Sequence, residues 1–457
     1  MNLSKLTIYL ILTFIFSING CAQSQDSELK KELHNYLSVI HSKKGFSGEV
    51  LIAKGENILF QEAVGLASIE NQILLKENAK YRIASITKTF TGLLFAIAKE
   101  EGKLDFNDKV KIYINSLSPK FENITIYQLL THTSGLPHNE GIKDYWLIKS
   151  KIKLDTKQVI EEINKLDLLF ESGTEMKYSS LGYYLLATVL ENVYNNSYQN
   201  IIQDKILREI NMSETDIVNT INIIPKMTNG YHFISDDSLV VAPFRNYSML
   251  KGAGDLYSTS IDLLKWSNSF FENKLISENS KNEIFTPHKT EIENKTYGLG
   301  WFIDNGKQKK YYHGGGTWGY SSYLALYPKN KISVIILSNI STLPTKSIGR
   351  DIEKMVFNLP FEIPKTNQEV SSSLKDTKLY SGIYKSKTSE MKLKITDSGN
   401  KLFAQLGRNP AFQIYSKGEN KYFAKKIEIE LTFQFKDNSK TELIVNRQGQ
   451  VFNFIKL

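Results

Sequence analysis

Apolar residues step by three and four through Ile86, Phe90, Leu93, Leu94 and Ile97, drawing one stripe along a helix from Phe90 to Lys99 that Gly102 ends. The run ahead of it, Tyr81-Arg82-Ile83-Ala84, reads as a strand. Gly48 to Ala53 and Ile58 to Ala63 predict an early hairpin, and the unbroken apolar run Ile332 to Ser338 predicts a late buried strand. Helical signals dominate between them. Strands from both ends of a region, with helices between, predict an α/β (α+β) domain over residues 34–359, its sheet flanked by a helical lobe. Residues 360–375, with two prolines and a run of three serines, read as a linker. From residue 376 the pattern changes to short alternating segments. Tyr380–Tyr384, Met391–Ile395, Leu402–Leu406, Phe412–Tyr415, Tyr422–Ala424, Ile429–Phe435, Leu443–Val445 and Val451–Leu457 are separated by turns such as Asp-Ser-Gly-Asn. Eight strands at that spacing predict a small antiparallel barrel or sandwich over residues 376–457, with no catalytic constellation within it.

A chain of 457 residues with 41% hydrophobic and 23% charged residues is an ordinary globular protein with room for two or three domains. Its one cysteine, Cys21, excludes an intrachain disulfide and a cysteine-based metal site. Cys21 closes a leader in which Lys5 precedes the apolar run Leu6 to Ile18, too short to span a bilayer but suited to a signal-peptide core over residues 1–20. Ile18-Asn19-Gly20-Cys21 resembles the lipobox of bacterial lipoproteins, whose cysteine is lipidated. The expectation is a protein lipid-anchored in the bacterial cell envelope, with residues 21–33 as tether; the alternative is a soluble secreted protein cleaved at the same place. The net charge of +9 is concentrated late in the chain, where residues 376–457 carry fifteen Lys and Arg against eight Asp and Glu. That is a solvated basic face or a contact for anionic lipid or envelope polymer. No nucleic-acid motif accompanies it, so no nucleic-acid partner is expected. A monomer is the default.

Chemistry concentrates at the strand-to-helix junction. In Ser85-Ile86-Thr87-Lys88 a serine at a helix start is followed one turn later by a lysine. Residues i and i+3 share a helix face, which brings the Lys88 amine within hydrogen-bond reach of the Ser85 hydroxyl. The helix N-terminus favours a forming alkoxide. Ser-x-x-Lys also occurs at Ser27, Ser150, Ser248, Ser372 and Ser389, so spacing alone selects nothing. A plain N-cap beside a solvated lysine is the duller reading.

Three further stretches supply context: Leu129-Leu130-Thr131-His132-Thr133-Ser134-Gly135-Leu136-Pro137, Tyr178-Ser179-Ser180-Leu181-Gly182-Tyr183, and His313-Gly314-Gly315-Gly316-Thr317. Together with Ser85 and Lys88 they resemble the serine β-lactamase and penicillin-binding-protein superfamily, in its class C-like branch of D-amino-acid peptidases and esterases. The resemblance covers about Gly45 to Ser338. It implies an antiparallel sheet flanked by helices, followed here by a small all-β domain, lipocalin-like barrel or sandwich. It also implies roles: Ser85 as acylated nucleophile, Lys88 as its hydrogen-bonded partner, Tyr178 as a phenolate-like base, and the backbone N–H groups of Ser85 and Gly316 as oxyanion hole. An ordinary tyrosine ionises near 10, so Tyr178 needs a cation such as Lys88 beside it to serve as base. Ser180, His313, Gly314 and Gly315 would bind substrate, the glycines by letting an acyl group approach the strand edge. His132 reads as structural, and Trp318 and Tyr320 as either pocket lining or core.

Two departures matter. The family's usual Lys-Thr-Gly is His313-Gly314-Gly315, and the usual asparagine two residues after the tyrosine is Ser180. A histidine is mostly neutral at pH 7, and one hydroxyl replaces an amide that donates and accepts. Both changes disfavour a β-lactamase or D-Ala-D-Ala carboxypeptidase and favour an enzyme cleaving an ester or a D-configured peptide amide. If His313 recognises an anion, its protonation at acid pH should strengthen that recognition. A catalytically inactive protein that binds cell-wall peptides is the rival from another class. A Gly-x-Ser-x-Gly elbow and a His-Glu-x-x-His zinc motif are both absent from the sequence, and neither metal nor organic cofactor is implied.

Overall fold

A computed structural model describes residues 27–457, apart from 220, 236–237, 290–294, 344, 362, 364–376 and, in the C-terminal domain, 388–390, 400, 408–410, 427–428, 436–440 and 448–449. The predicted signal peptide, Cys21 and most of the predicted linker lie outside the described residues.

An antiparallel sheet organises the first domain, in the order His288–Lys289, Lys295–Tyr297, Phe302–Asp304, Lys310–Thr317, Tyr320–Tyr327, Ile332–Ser338, Gly48–Lys54 and Asn57–Val64. The early hairpin and the late strand meet in its interior, with Gly48 opposite Ser338 and Val50 opposite Ile336. These two strands lack polar alternation because both of their faces are covered. Leu51, Ala53, Ile335 and Leu337 join the core that holds helices Thr87–Glu100, Ser180–Tyr194 and Ser260–Phe271. Val50, Ile52, Val334 and Ile336 face the other core, which takes in Leu33 and Tyr36 of the first helix and Ile348 and Ile352 of Thr345–Val356.

Helix Thr87–Glu100 is almost wholly buried, and Phe90 stacks on Trp266 with ring centroids 4.0 Å apart. Its N-terminus is set from the sheet side. Tyr81–Arg82 pairs with Leu256–Ser258, the Ile83 N–H donates to the Leu256 carbonyl (3.0 Å), and the Leu256 N–H donates to Thr87 Oγ1 (3.2 Å). The strand Lys310–Thr317 crosses this junction closely enough that a Cβ on Gly315 would collide with the Ile83 carbonyl, which also accepts from Ser322 Oγ at 2.8 Å. Glycine here is a packing requirement.

The C-terminal domain is a closed eight-stranded antiparallel barrel, Gly382–Ser386 pairing with both Lys392–Ser398 and the last strand, Gln450–Lys456. Alternate residues, among them Leu393, Ile395, Leu431, Phe433, Leu443 and Phe454, point inward and fill it. The first strand begins two residues later than the alternation suggests, because Thr377–Leu379 makes a helical turn and leaves the Tyr380 carbonyl to accept from Tyr384 Oη (2.7 Å).

Candidate active site

Ser85 lies in the turn Ala84–Ile86 that opens helix Thr87–Glu100, half-buried where its neighbours are fully buried. Ala84 holds φ at +46°, a left-handed conformation that costs an alanine about 1–2 kcal/mol and turns the chain sharply just before the serine. One turn on, the enclosed Lys88 amine is 3.3 Å from Ser85 Oγ, donates to the Ala253 carbonyl at 2.6 Å and lies 3.1 Å from Ser180 Oγ. Burial holds the amine well below the ordinary lysine value, opposed only in part by the Asp255 carboxylate nearby. A neutral amine has two hydrogens and one lone pair. In the neutral form that burial favours, the hydrogens serve Ala253 and Ser180 and the lone pair is left for the Ser85 hydroxyl proton.

Tyr178 stands over this pair. Its ring centroid is 4.8 Å from Lys88 Nζ. The Tyr178 hydroxyl is buried and has no well-formed hydrogen bond, although Ser85 lies close enough to favour its ionised form slightly; burial prevails and pushes the phenol above its ordinary value. The resting side chain is therefore a neutral phenol, poised to donate, and not the phenolate that the resemblance implies.

His132 packs beneath Tyr178 with ring centroids 4.3 Å apart, and its Nδ1 accepts from the Ser179 N–H at 3.2 Å. Burial keeps it neutral, as suits a structural residue. His313 corrects an expectation. It is wholly buried, its Nδ1–H donates to the Gly314 carbonyl at 2.6 Å, and Nε2 faces Tyr297 Oη at 3.4 Å. Burial and, secondarily, Lys88 lower its pKa to about 3, so it offers no charge to a substrate anion above that pH. Of the three glycines, Gly316 is exposed with open space where a Cβ would stand, Gly314 is loosely packed, and Gly315 presses against the Ile83 turn.

Two neighbours of the site carry no periodic or motif signal and went unread in the sequence. Arg245 is 6% exposed, donates to Thr317 Oγ1 (3.1 Å) and to Tyr145 Oη, and lies over Trp146 and Trp318. Its Nε has no partner, and among the described residues no carboxylate stands within ion-pair distance. Trp318 is half-exposed and stacked on Trp146, whereas Tyr320 is core, donating to the Thr228 carbonyl. His138, directly after Pro137, reaches Ser180 Oγ with Nε2 at 3.2 Å.

Residues 40–354 match the family described as Beta-lactamase. The chain belongs to that family. It is 27% identical over 445 residues to Penicillin-binding protein 4* of Bacillus subtilis, spanning 92% of this chain and 97% of that one. The octameric penicillin-binding protein homologue from Pyrococcus abyssi superposes with a TM-score of 0.65 at 22% identity, over 93% of this chain and 99% of that one, so the fold likeness extends into the C-terminal domain. The D-amino acid amidase of Ochrobactrum anthropi, crystallised with D-phenylalanine, superposes with a TM-score of 0.62 at 20% identity over 72% of this chain and 99% of that one. Serine hydrolase activity in general follows from the family.

Proposed function

We propose that this beta-lactamase family member is an acyl-enzyme hydrolase that cleaves an ester or a D-configured peptide amide through Ser85. The observation that carries the reading is the enclosed, charge-averse Lys88 amine 3.3 Å from Ser85 Oγ. Lys88 takes the hydroxyl proton as Oγ attacks the acyl carbon. The backbone N–H groups of Ser85 and Gly316 receive the oxyanion, a contribution of about 3–4 kcal/mol to barrier lowering where such donors have been removed. The neutral Tyr178 phenol gives its proton to the leaving group and recovers one from Lys88. Water then repeats the attack on the acyl-enzyme.

A second reading, a substrate bearing a free carboxylate, is favoured by Arg245. A buried guanidinium without a carboxylate is costly unless a partner arrives, and Thr317, to which it donates, directly follows Gly316. It would replace the cation that His313 does not supply. The anchoring of the enzyme at a membrane through lipid on Cys21 belongs to the same proposal, and it rests on the leader alone.

Intact mass of the protein lacking residues 1–21 after incubation with p-nitrophenyl butyrate, with a D-phenylalanine amide and with benzylpenicillin tests both readings. A Ser85-dependent adduct or product with the ester or amide supports the proposal. A β-lactam adduct that Arg245→Gln weakens supports the second. No reaction of any of the three, with folded protein, refutes both.

A further inference from the structure

Lys88 is wholly enclosed, yet hydrolysis of an ester at neutral pH leaves one proton for each turnover, and that proton has to pass from the buried amine to water. Besides the Ser85 hydroxyl, which is acylated during the cycle, a hydrogen-bonded route leads outward among the described residues. Lys88 Nζ is 3.1 Å from Ser180 Oγ, Ser180 Oγ is 3.2 Å from His138 Nε2, and His138 Nδ1 is 2.7 Å from Glu140 Oε2. The His138 side chain is 37% exposed, so the route ends at solvent. We propose that Ser180, His138 and Glu140 form a proton relay that discharges Lys88 after each turnover.

Every link has a direction. The amine donates to Ser180 Oγ, and the Ser180 hydroxyl donates to Nε2, which is free to accept when the ring is neutral. A serine can release one proton while taking another at the same oxygen. The asparagine that the family usually places here cannot, because a carboxamide neither loses nor gains a proton near neutral pH. The departure at Ser180 thus gains a chemical use. Each neutral tautomer has its own partners: with Nε2 accepting from Ser180, Nδ1–H donates to Glu140 Oε2 at 2.7 Å, and with Nδ1 accepting from the Asn139 N–H at 2.8 Å, Nε2–H faces Ser180. Burial pushes the Glu140 carboxyl up, but the His138 bond and charge hold it below its ordinary value, so it is anionic when the imidazolium forms. The other groups near the ring are Tyr178, stacked at 5.9 Å, His132, which the His138 charge disfavours as a cation, and Lys88; Arg245 acts on Glu140 from behind.

The inference rests on the hydrolase reading, and the step balances as follows. In deacylation the water oxygen bonds to the acyl carbon and one water proton passes to Lys88. The bond from acyl carbon to Ser85 Oγ then breaks, and Oγ takes that proton back. The carboxylic acid formed gives its remaining proton to Lys88, from which it moves to Ser180 as the Ser180 proton moves to Nε2. Water removes it from the imidazolium, and carboxylate, free serine and neutral amine remain.

The test is steady-state and burst kinetics of p-nitrophenyl butyrate hydrolysis with the full chain and with His138→Gln, His138→Gly and Ser180→Ala. Acylation expels nitrophenolate without a proton and leaves the Ser85 hydroxyl proton on Lys88, which the relay must discharge before Lys88 can take a proton from water, so the burst should persist in every variant while steady turnover falls about tenfold or more. Added imidazole should restore turnover to His138→Gly, and the solvent deuterium effect on turnover should rise in His138→Gln. Unchanged turnover in His138→Gln, or a loss shared equally by burst and turnover and untouched by imidazole, overturns the relay. Absence of a Ser85-dependent burst in the parent protein overturns the hydrolase reading first, and the relay with it.

Discussion

Lys88 and Tyr178 show how burial assigns an acid and a base within a few ångströms. Both are enclosed, and burial disfavours the charged form of each, lowering the pKa of the amine and raising that of the phenol. The amine therefore accepts and the phenol donates. Tyr178→Phe should then slow cleavage of an amide, whose leaving group needs a proton, far more than cleavage of a p-nitrophenyl ester; equal losses on the two substrates would return the base role to Tyr178. Asp255 tunes the amine. Its carboxylate favours the Lys88 ammonium, and burial holds its own pKa up at about 7. In Asp255→Asn the amine loses that support, becomes neutral at lower pH, and the acid limb of the kcat/KM profile should move toward acid. A shift toward alkaline pH would show that Asp255 acts on some other group.

Elements distant along the chain fix these side chains. The apolar stripe through Ile86, Phe90 and Leu93 announced the helix, and the Ser85-Lys88 spacing announced the pair. The contacts that set their surroundings come from strands and loops distant in sequence, such as the Ala253 carbonyl on Lys88 and the strand at Gly315 against Ile83. Three adjacent glycines read alike in sequence, yet only Gly315 is held tightly, because only it meets the carbonyl two residues before Ser85. Gly315→Ala should push the strand carrying Gly316 away from Ser85. A displacement near 1 Å costs about 10²-fold in rate, so kcat/KM should fall by that order while circular dichroism stays native; Gly314→Ala should change little. Equal and small effects would mean that the oxyanion is held elsewhere. His138 and Arg245 stayed illegible for a related reason, since neither lies in a periodic segment and their partners are 42 and 72 residues away.

Across the whole molecule the titratable load is divided unevenly between the two domains. All seven histidines precede residue 314, so the barrel from residue 376 has none. His313 and His132 are buried and neutral in the fold, His313 with a pKa of about 3. In the unfolded chain both take up a proton near 6.5. Between those values the unfolded state binds more protons than the folded one, so stability rises with pH across the window and falls on acidification. Well inside it each such histidine contributes a slope of about 1.4 kcal/mol per pH unit. The first domain should accordingly lose urea resistance between pH 7 and 5.5 while the barrel, with its own closed apolar interior, keeps its midpoint. Tryptophan fluorescence follows the first domain selectively, because all four tryptophans lie there, at Trp146, Trp266, Trp301 and Trp318. Far-ultraviolet circular dichroism follows both. The two transitions should separate on acidification, and His313→Gln should reduce the separation by removing one titrating group. Transitions that stay coincident would show that the domains unfold as one unit; a separation unaltered by His313→Gln would place the acid sensitivity in the carboxylates.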